Sequence, residues 1–90
     1  MKTFEDLEFN VHPNSLFGFN GQAKMDFDNG YGVSVITGEY AYTSELEPYE
    51  IAILHDGIIT YDTHISDDVI GYCTQEKVTE IMKQVQELKK

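Results

Sequence analysis

Arginine is absent from this chain, and its six lysines face sixteen aspartates and glutamates. Without guanidinium forks there is no bidentate clamp for phosphate. A formal charge of −10 repels nucleic acid and bare phosphate alike. Cys73 is the single cysteine, which excludes an intrachain disulfide. No apolar run approaches the roughly 20 residues of a membrane-spanning helix. The start, Met1-Lys2-Thr3-Phe4-Glu5-Asp6, lacks the basic stretch and apolar run of a signal peptide. No Asn-x-Ser/Thr acceptor occurs, because Asn14-Ser15 is followed by Leu16. These absences lead to the expectation of a reducing, cytoplasmic setting with no membrane partner.

The charge that is present is unevenly placed. Fourteen of the sixteen acidic residues precede Lys77, against only Lys2 and Lys24, whereas Lys77, Lys83, Lys89 and Lys90 crowd the last fourteen positions. An acidic body ending in a mildly basic segment attracts basic protein surfaces. With 41% hydrophobic residues and eleven Tyr and Phe, the chain is too apolar for a disordered acidic tail. Ninety residues suffice for one core, so residues 1–90 read as a single domain.

Hydrophobic periodicity assigns the elements. Residues 1–21 are ambiguous: Phe4, Leu7 and Phe9 suit one short element, His12-Pro13-Asn14-Ser15 a turn, and residues 17–21 a loop or the lead-in to a strand. Ala23, Met25 and Phe27 alternate with polar neighbours, which predicts a half-buried strand from Gln22. Asp28-Asn29-Gly30 then precedes the β-branched run Tyr31 to Thr37, and Asn-Gly between two such runs predicts a hairpin with a type I′ turn. Tyr49 to Leu54 and Ile58 to Tyr61 form a second strand pair around Asp56-Gly57, a dipeptide that tolerates left-handed backbone. Ser66-Asp67-Asp68 suggests a cap for a short helical turn through Val69, Ile70 and Tyr72. Thr74 is placed to cap one long helix whose Val78, Ile81, Met82, Val85 and Leu88 form a single apolar stripe. The predicted class is α+β: an antiparallel four-stranded meander, five-stranded if the N-terminal segment joins, with the C-terminal helix packed on one face.

Reaction chemistry finds little support. Asp26-x-Asp28-Asn29-Gly30 resembles the start of a calcium loop, but Tyr31 and Thr37 occupy the positions where glycine and glutamate are required. His12, His55 and His64 lack the short Cys/His spacing of zinc sites, so no metal and no cofactor are expected. Cys73 near a helix start could be a nucleophile, although free cysteines are more often buried. Gly30-x-Gly32 falls in a hairpin and precedes no helix, so it is not a phosphate cradle. No acid, base and nucleophile set stands out, and the expectation is a protein that is not an enzyme.

The acidic residues are the better candidates. Glu39, Tyr40, Tyr42, Glu45, Glu47 and Glu50 cluster on or beside the connection from Gly38 to Pro48, and Asp56 and Asp62 flank the fourth strand. Rigid aromatics supply contact area while carboxylates steer encounter, so these eight are candidate partner-contact residues. The same composition also suits a solvated loop.

Asn29-Gly30-Tyr31-Gly32-Val33-Ser34-Val35, together with Ile59-Thr60-Tyr61-Asp62-Thr63, Ile65, Asp67-Asp68-Val69 and Gly71-Tyr72, resembles a group of small acidic proteins encoded by bacteriophages and prophages. The opening Phe4-Glu5-Asp6-Leu7-Glu8-Phe9 and His12-Pro13 is similar to theirs as well, so the resemblance covers nearly the whole chain. Where that group tends to carry proline after Asp-Thr, this chain has His64. The resemblance implies a phage-related origin and the host cytoplasm, and it carries no catalytic residue across. The resulting expectation is a non-catalytic accessory protein that binds a basic host protein, with carboxylates mimicking nucleic-acid phosphates as one version. The alternative is a small-ligand-binding or purely structural homo-oligomeric module. Its support is the six tyrosines and strand edges open to a second copy as a homodimer.

Overall fold

The computed structural model describes residues 1–11, 21–38 and 43–89. Six strands form one antiparallel sheet: β1 (Asn10–Val11), β2 (Gly21–Asp26), β3 (Tyr31–Thr37), β4 (Tyr49–His55), β5 (Ile58–Ile59) and β6 (Ile70–Cys73). The order is β1-β2-β3-β4, with β5 and β6 both paired to the far side of β4. Helix α1 (Gln75–Gln86) packs across one face, and the class is α+β. The expected turn at residues 12–15 and most of the expected loop at 17–21 lie outside the described residues.

Alternation along the strands sorts side chains onto two faces. Ala23, Val35 and Ile51 form one row across β2, β3 and β4, and Met25, Val33 and Ile53 form the next. These rows meet the helical stripe, of which Val78, Ile81, Met82 and Val85 are buried; the helix ends at Gln86, earlier than expected, and Leu88 packs at the margin from beyond it. Cys73 is fully enclosed in the same cluster. The helix begins where the sequence placed it: Thr74 is extended and its hydroxyl accepts the Lys77 backbone N–H at 3.1 Å.

The N-terminal segment straps the outside of this layer. Gln86 meets the Lys2 backbone twice, accepting from its N–H and donating to its carbonyl, both at 2.8 Å. The Phe4 N–H donates to Thr79 Oγ1 at 3.0 Å. Phe4, Phe9 and Tyr49 then pack at tilted angles into a three-ring cluster with centroids 4.9–5.9 Å apart.

Both hairpins form, but their turns differ from each other. Asp56 and Gly57 have φ of 52° and 83°, the two positive values of a type I′ turn. At Asp28-Asn29-Gly30 only Gly30 is left-handed (φ 86°), and the Phe27 N–H reaches the Tyr31 carbonyl at 2.7 Å. This is a three-residue loop ending in a glycine bulge, which corrects the expected type I′ geometry. Gly30 takes the left-handed third position of such a loop, and Asn29 before it is free to reach the helix. Asn29 turns its amide onto the end of α1, donating to the Val85 and Leu88 carbonyls at 2.9 Å and to Gln86 at 3.3 Å. Its Oδ1 meanwhile accepts the Tyr31 N–H at 3.0 Å.

The segment after Ser66 also departs from expectation. Ser66 Oγ does accept the Asp68 N–H at 3.1 Å, but no helical turn follows, and residues 70–73 are strand. The far edge of β4 exposes unpaired backbone groups, and extended chain satisfies them better than one isolated turn. The fourth predicted strand is correspondingly short. Thr60 still donates to the Ile53 carbonyl at 2.9 Å, after which the chain leaves the sheet and returns at Ile70 opposite Ile51. Residues 61–69 are thus a loop inserted into what is nearly one edge strand. Where β6 rejoins, Gly71 and Tyr72 together oppose Glu50, and this bulge holds Tyr72 at φ 54°.

Candidate interaction surface

Apolar exposure is concentrated on one border of the sheet. Among the described residues the exposed large apolar and aromatic side chains are Met1, Leu46, Ile58, Ile59, Tyr61 and Tyr72. Apart from Met1, all lie on β5, on β6, just past β5, or in the loop leading into β4. Isolated exposed apolar side chains are ordinary, whereas a series along one edge is the less usual arrangement. Ile58 is 73% exposed and Tyr72 54%, so the series is open to solvent.

Local geometry sets each of them out. Ser44 donates its N–H to the Glu47 carbonyl at 2.9 Å and accepts the Glu47 N–H on its hydroxyl at 3.1 Å, which leaves Glu45 and Leu46 at the tip of a turn. The Asp56-Gly57 turn is closed by the pair His55–Ile58. In a two-residue hairpin the closing pair exchanges hydrogen bonds and the next pair does not. Since Thr60 again bonds to Ile53, the backbone N–H and C=O of Ile59 face away from β4. No strand among the described residues pairs with that side.

Four of the eight candidate contact residues fall on this border and are exposed: Glu45, Glu47, Asp56 and Asp62. They are strung along it rather than gathered. The seven residues of β4 stand between Glu47 and Asp56, and at about 3.3 Å per residue they span roughly 23 Å. Asp67 and Asp68, exposed in the inserted loop, add to the same side. The ion pairs found among the described residues are Lys77–Glu80 at 3.7 Å and His55–Asp56 at 3.9 Å, both solvent-exposed and weak.

Glu50 is placed differently. It is 7% exposed, on the sheet face away from α1, beside Ser34 and Ala52. Ile59 and Val69 complete a narrow cleft of about 160 Å³ there. A carboxylate so enclosed is not offered to a partner as a surface charge, which corrects that part of the expectation. Glu39, Tyr40 and Tyr42 lie outside the described residues.

The remaining candidates for chemistry are dispersed. Tyr31 stacks on His55 (centroids 4.5 Å, interplanar 14°), Tyr49 belongs to the phenylalanine cluster, and Tyr61 and Tyr72 face solvent, so these four line no common pocket. Burial pushes the Cys73 thiol up, Glu47 and Glu50 push the same way, and Lys77 opposes them. That suits an inert packed thiol, with weak Sγ contacts to the Ile70 and Gly71 carbonyls. Among the described residues no three His, Cys, Asp or Glu side chains gather as metal ligands, and no helix is long and apolar enough to cross a membrane. Sequence reasoning missed Ile58 and Ile59 as surface residues. The signal was available: they are adjacent apolar residues on a short strand, and alternation cannot bury both on one face.

The chain matches no family model, no curated protein and no solved structure.

Proposed function

We propose that this protein is a non-catalytic binding module, a phage-related accessory factor that docks a basic host protein along the β5–β6 border. The observation that carries the reading is the run of exposed Ile58, Ile59, Tyr61 and Tyr72 on an edge whose neighbours are carboxylates. Apolar side chains supply buried area, outward backbone groups at Ile59 offer strand pairing, and Asp56 and Asp62 steer a cationic partner. A phosphate mimic in the strict sense needs carboxylates alone. The mixture along this border instead favours hydrophobic docking assisted by charge. A second copy is a poor occupant, since it would bring −10 to meet −10.

The test is affinity capture from host cells at low and high salt, using the wild type, Ile58→Ser/Tyr61→Ser and Asp56→Asn/Asp62→Asn. All four positions are exposed, so each variant should melt with the wild type. The apolar double variant should lose the partner at both salt concentrations, and the amide variant should lose it chiefly at low salt. Retention of the same basic protein by the apolar variant would refute the proposed surface.

A further inference from the structure

The dipeptide Asn29-Gly30 combines a reactive sequence with an unusual restraint. An asparagine amide carbon is open to attack by the following backbone nitrogen, and glycine, lacking a Cβ, leaves that approach unhindered. In the folded chain both reacting ends are engaged. The Gly30 N–H donates to the Phe27 carbonyl at 3.3 Å. The Asn29 side chain is held on the Val85, Gln86 and Leu88 carbonyls by its nitrogen and on the Tyr31 N–H by its oxygen. Cyclisation requires the side chain to rotate out of that clamp, so the turn must first part from the end of α1.

We infer that Asn29 is a conformationally gated deamidation site: the docked turn preserves it, and separation of the turn from α1 exposes it to cyclisation and hydrolysis. The Gly30 nitrogen gives its proton to solvent base and bonds to Asn29 Cγ. The Cγ–Nδ2 bond breaks as Nδ2 takes a proton from solvent, and ammonia leaves. Water then adds to the cyclic imide and opens it to aspartate or isoaspartate, with no change of oxidation state. The product cannot resume the native contact. A carboxylate has no proton for three carbonyl oxygens, and it sets a negative charge at the negative end of the helix dipole. Isoaspartate also adds a backbone atom to a three-residue loop. The modification therefore marks, in one direction, copies that have opened. It is independent of the proposed binding role.

Peptide mapping by mass spectrometry tests this on the purified protein held at mildly alkaline pH, native and in denaturing urea. Conversion at Asn29 should be about a hundredfold slower in the native protein, because several hydrogen bonds must break together. The converted fraction, separated by ion exchange, should melt below the intact protein. Equal native and denatured rates, or equal melting of converted and intact protein, would overturn the inference. Asn20-Gly21 is the same dipeptide, and in urea it gives a rate for the unrestrained pair within the same sample.

Discussion

Replacing Asn29 should reveal how much of the fold's stability depends on one side chain joining the β2–β3 turn to the C-terminus of α1. Three carbonyls lie within 3.3 Å of its nitrogen, but the amide has two protons, so at most two full donor bonds form at once. The acceptor bond from the Tyr31 N–H adds a third. At a net 0.5–1.5 kcal/mol each, and with water reaching a half-buried site, Asn29→Ala should cost about 2 kcal/mol. For a domain of this size that lowers Tm by about 10 °C. Asn29→Asp keeps the acceptor and loses both donors, and its charge adds about 0.3–1 kcal/mol of repulsion from the helix end. The retained acceptor bond and the charge penalty are of similar size, so near neutral pH this variant should lie within about 1 kcal/mol of Asn29→Ala. The introduced carboxylate is disfavoured by the fold, so its pKa rises above the unfolded value near 4. The penalty is present above that range and fades as acid protonates the group. Thermal melts of both variants between pH 3 and 7 check the argument. If the aspartate variant gains nothing on the alanine variant as pH falls from 7 to 3, the clamp is not electrostatic in this way.

Two further outcomes follow from packing and burial. A Cβ on Gly32 would stand 2.5 Å from the Met25 carbonyl oxygen and 2.8 Å from Asp26 Oδ1, so Gly32→Ala should cost about 2 kcal/mol in urea unfolding; a change within about 0.5 kcal/mol would contradict the close approach. Burial raises the Cys73 thiol above its ordinary 9.0, so the unfolded chain ionises first and stability should fall as pH climbs from about 9 toward the folded value. Cys73→Ala should remove that decline, whatever its offset at neutral pH, as read from urea midpoints across the alkaline range.

What was legible in the residues was whatever short-range chemistry dictates. The stripe from Val78 to Val85 and the Thr74 cap require only a 3.6-residue period and a hydroxyl at the right offset, and both stand as expected, although the helix ends at Gln86 and so stops short of the Leu88 expected to complete it. The alternation of Ala23 and Met25 and the β-branched run from Tyr31 specify half-buried strands, and Asp56-Gly57 specifies a tight turn, without reference to the rest of the chain. The acidic imbalance, too, is a property of composition.

Tertiary structure decided everything that depends on which distant segment comes to lie alongside. Residues 69–72 read locally as a helical turn, yet the open side of β4 draws Ile70 to Cys73 into a strand, because unsatisfied backbone groups outweigh a weak local preference. Asn29 reads as a turn former, and only the arrival of the end of α1, with Val85 56 residues later in the chain, makes it a helix cap. Glu50 reads as one more surface carboxylate, but the pairing register puts it on an enclosed sheet face, where one step along the strand would have reversed its side. The exposed apolar border of β5 and β6 arises in the same way. Composition supplies the isoleucines, tyrosines and aspartates, whereas strand order alone determines that they share one edge.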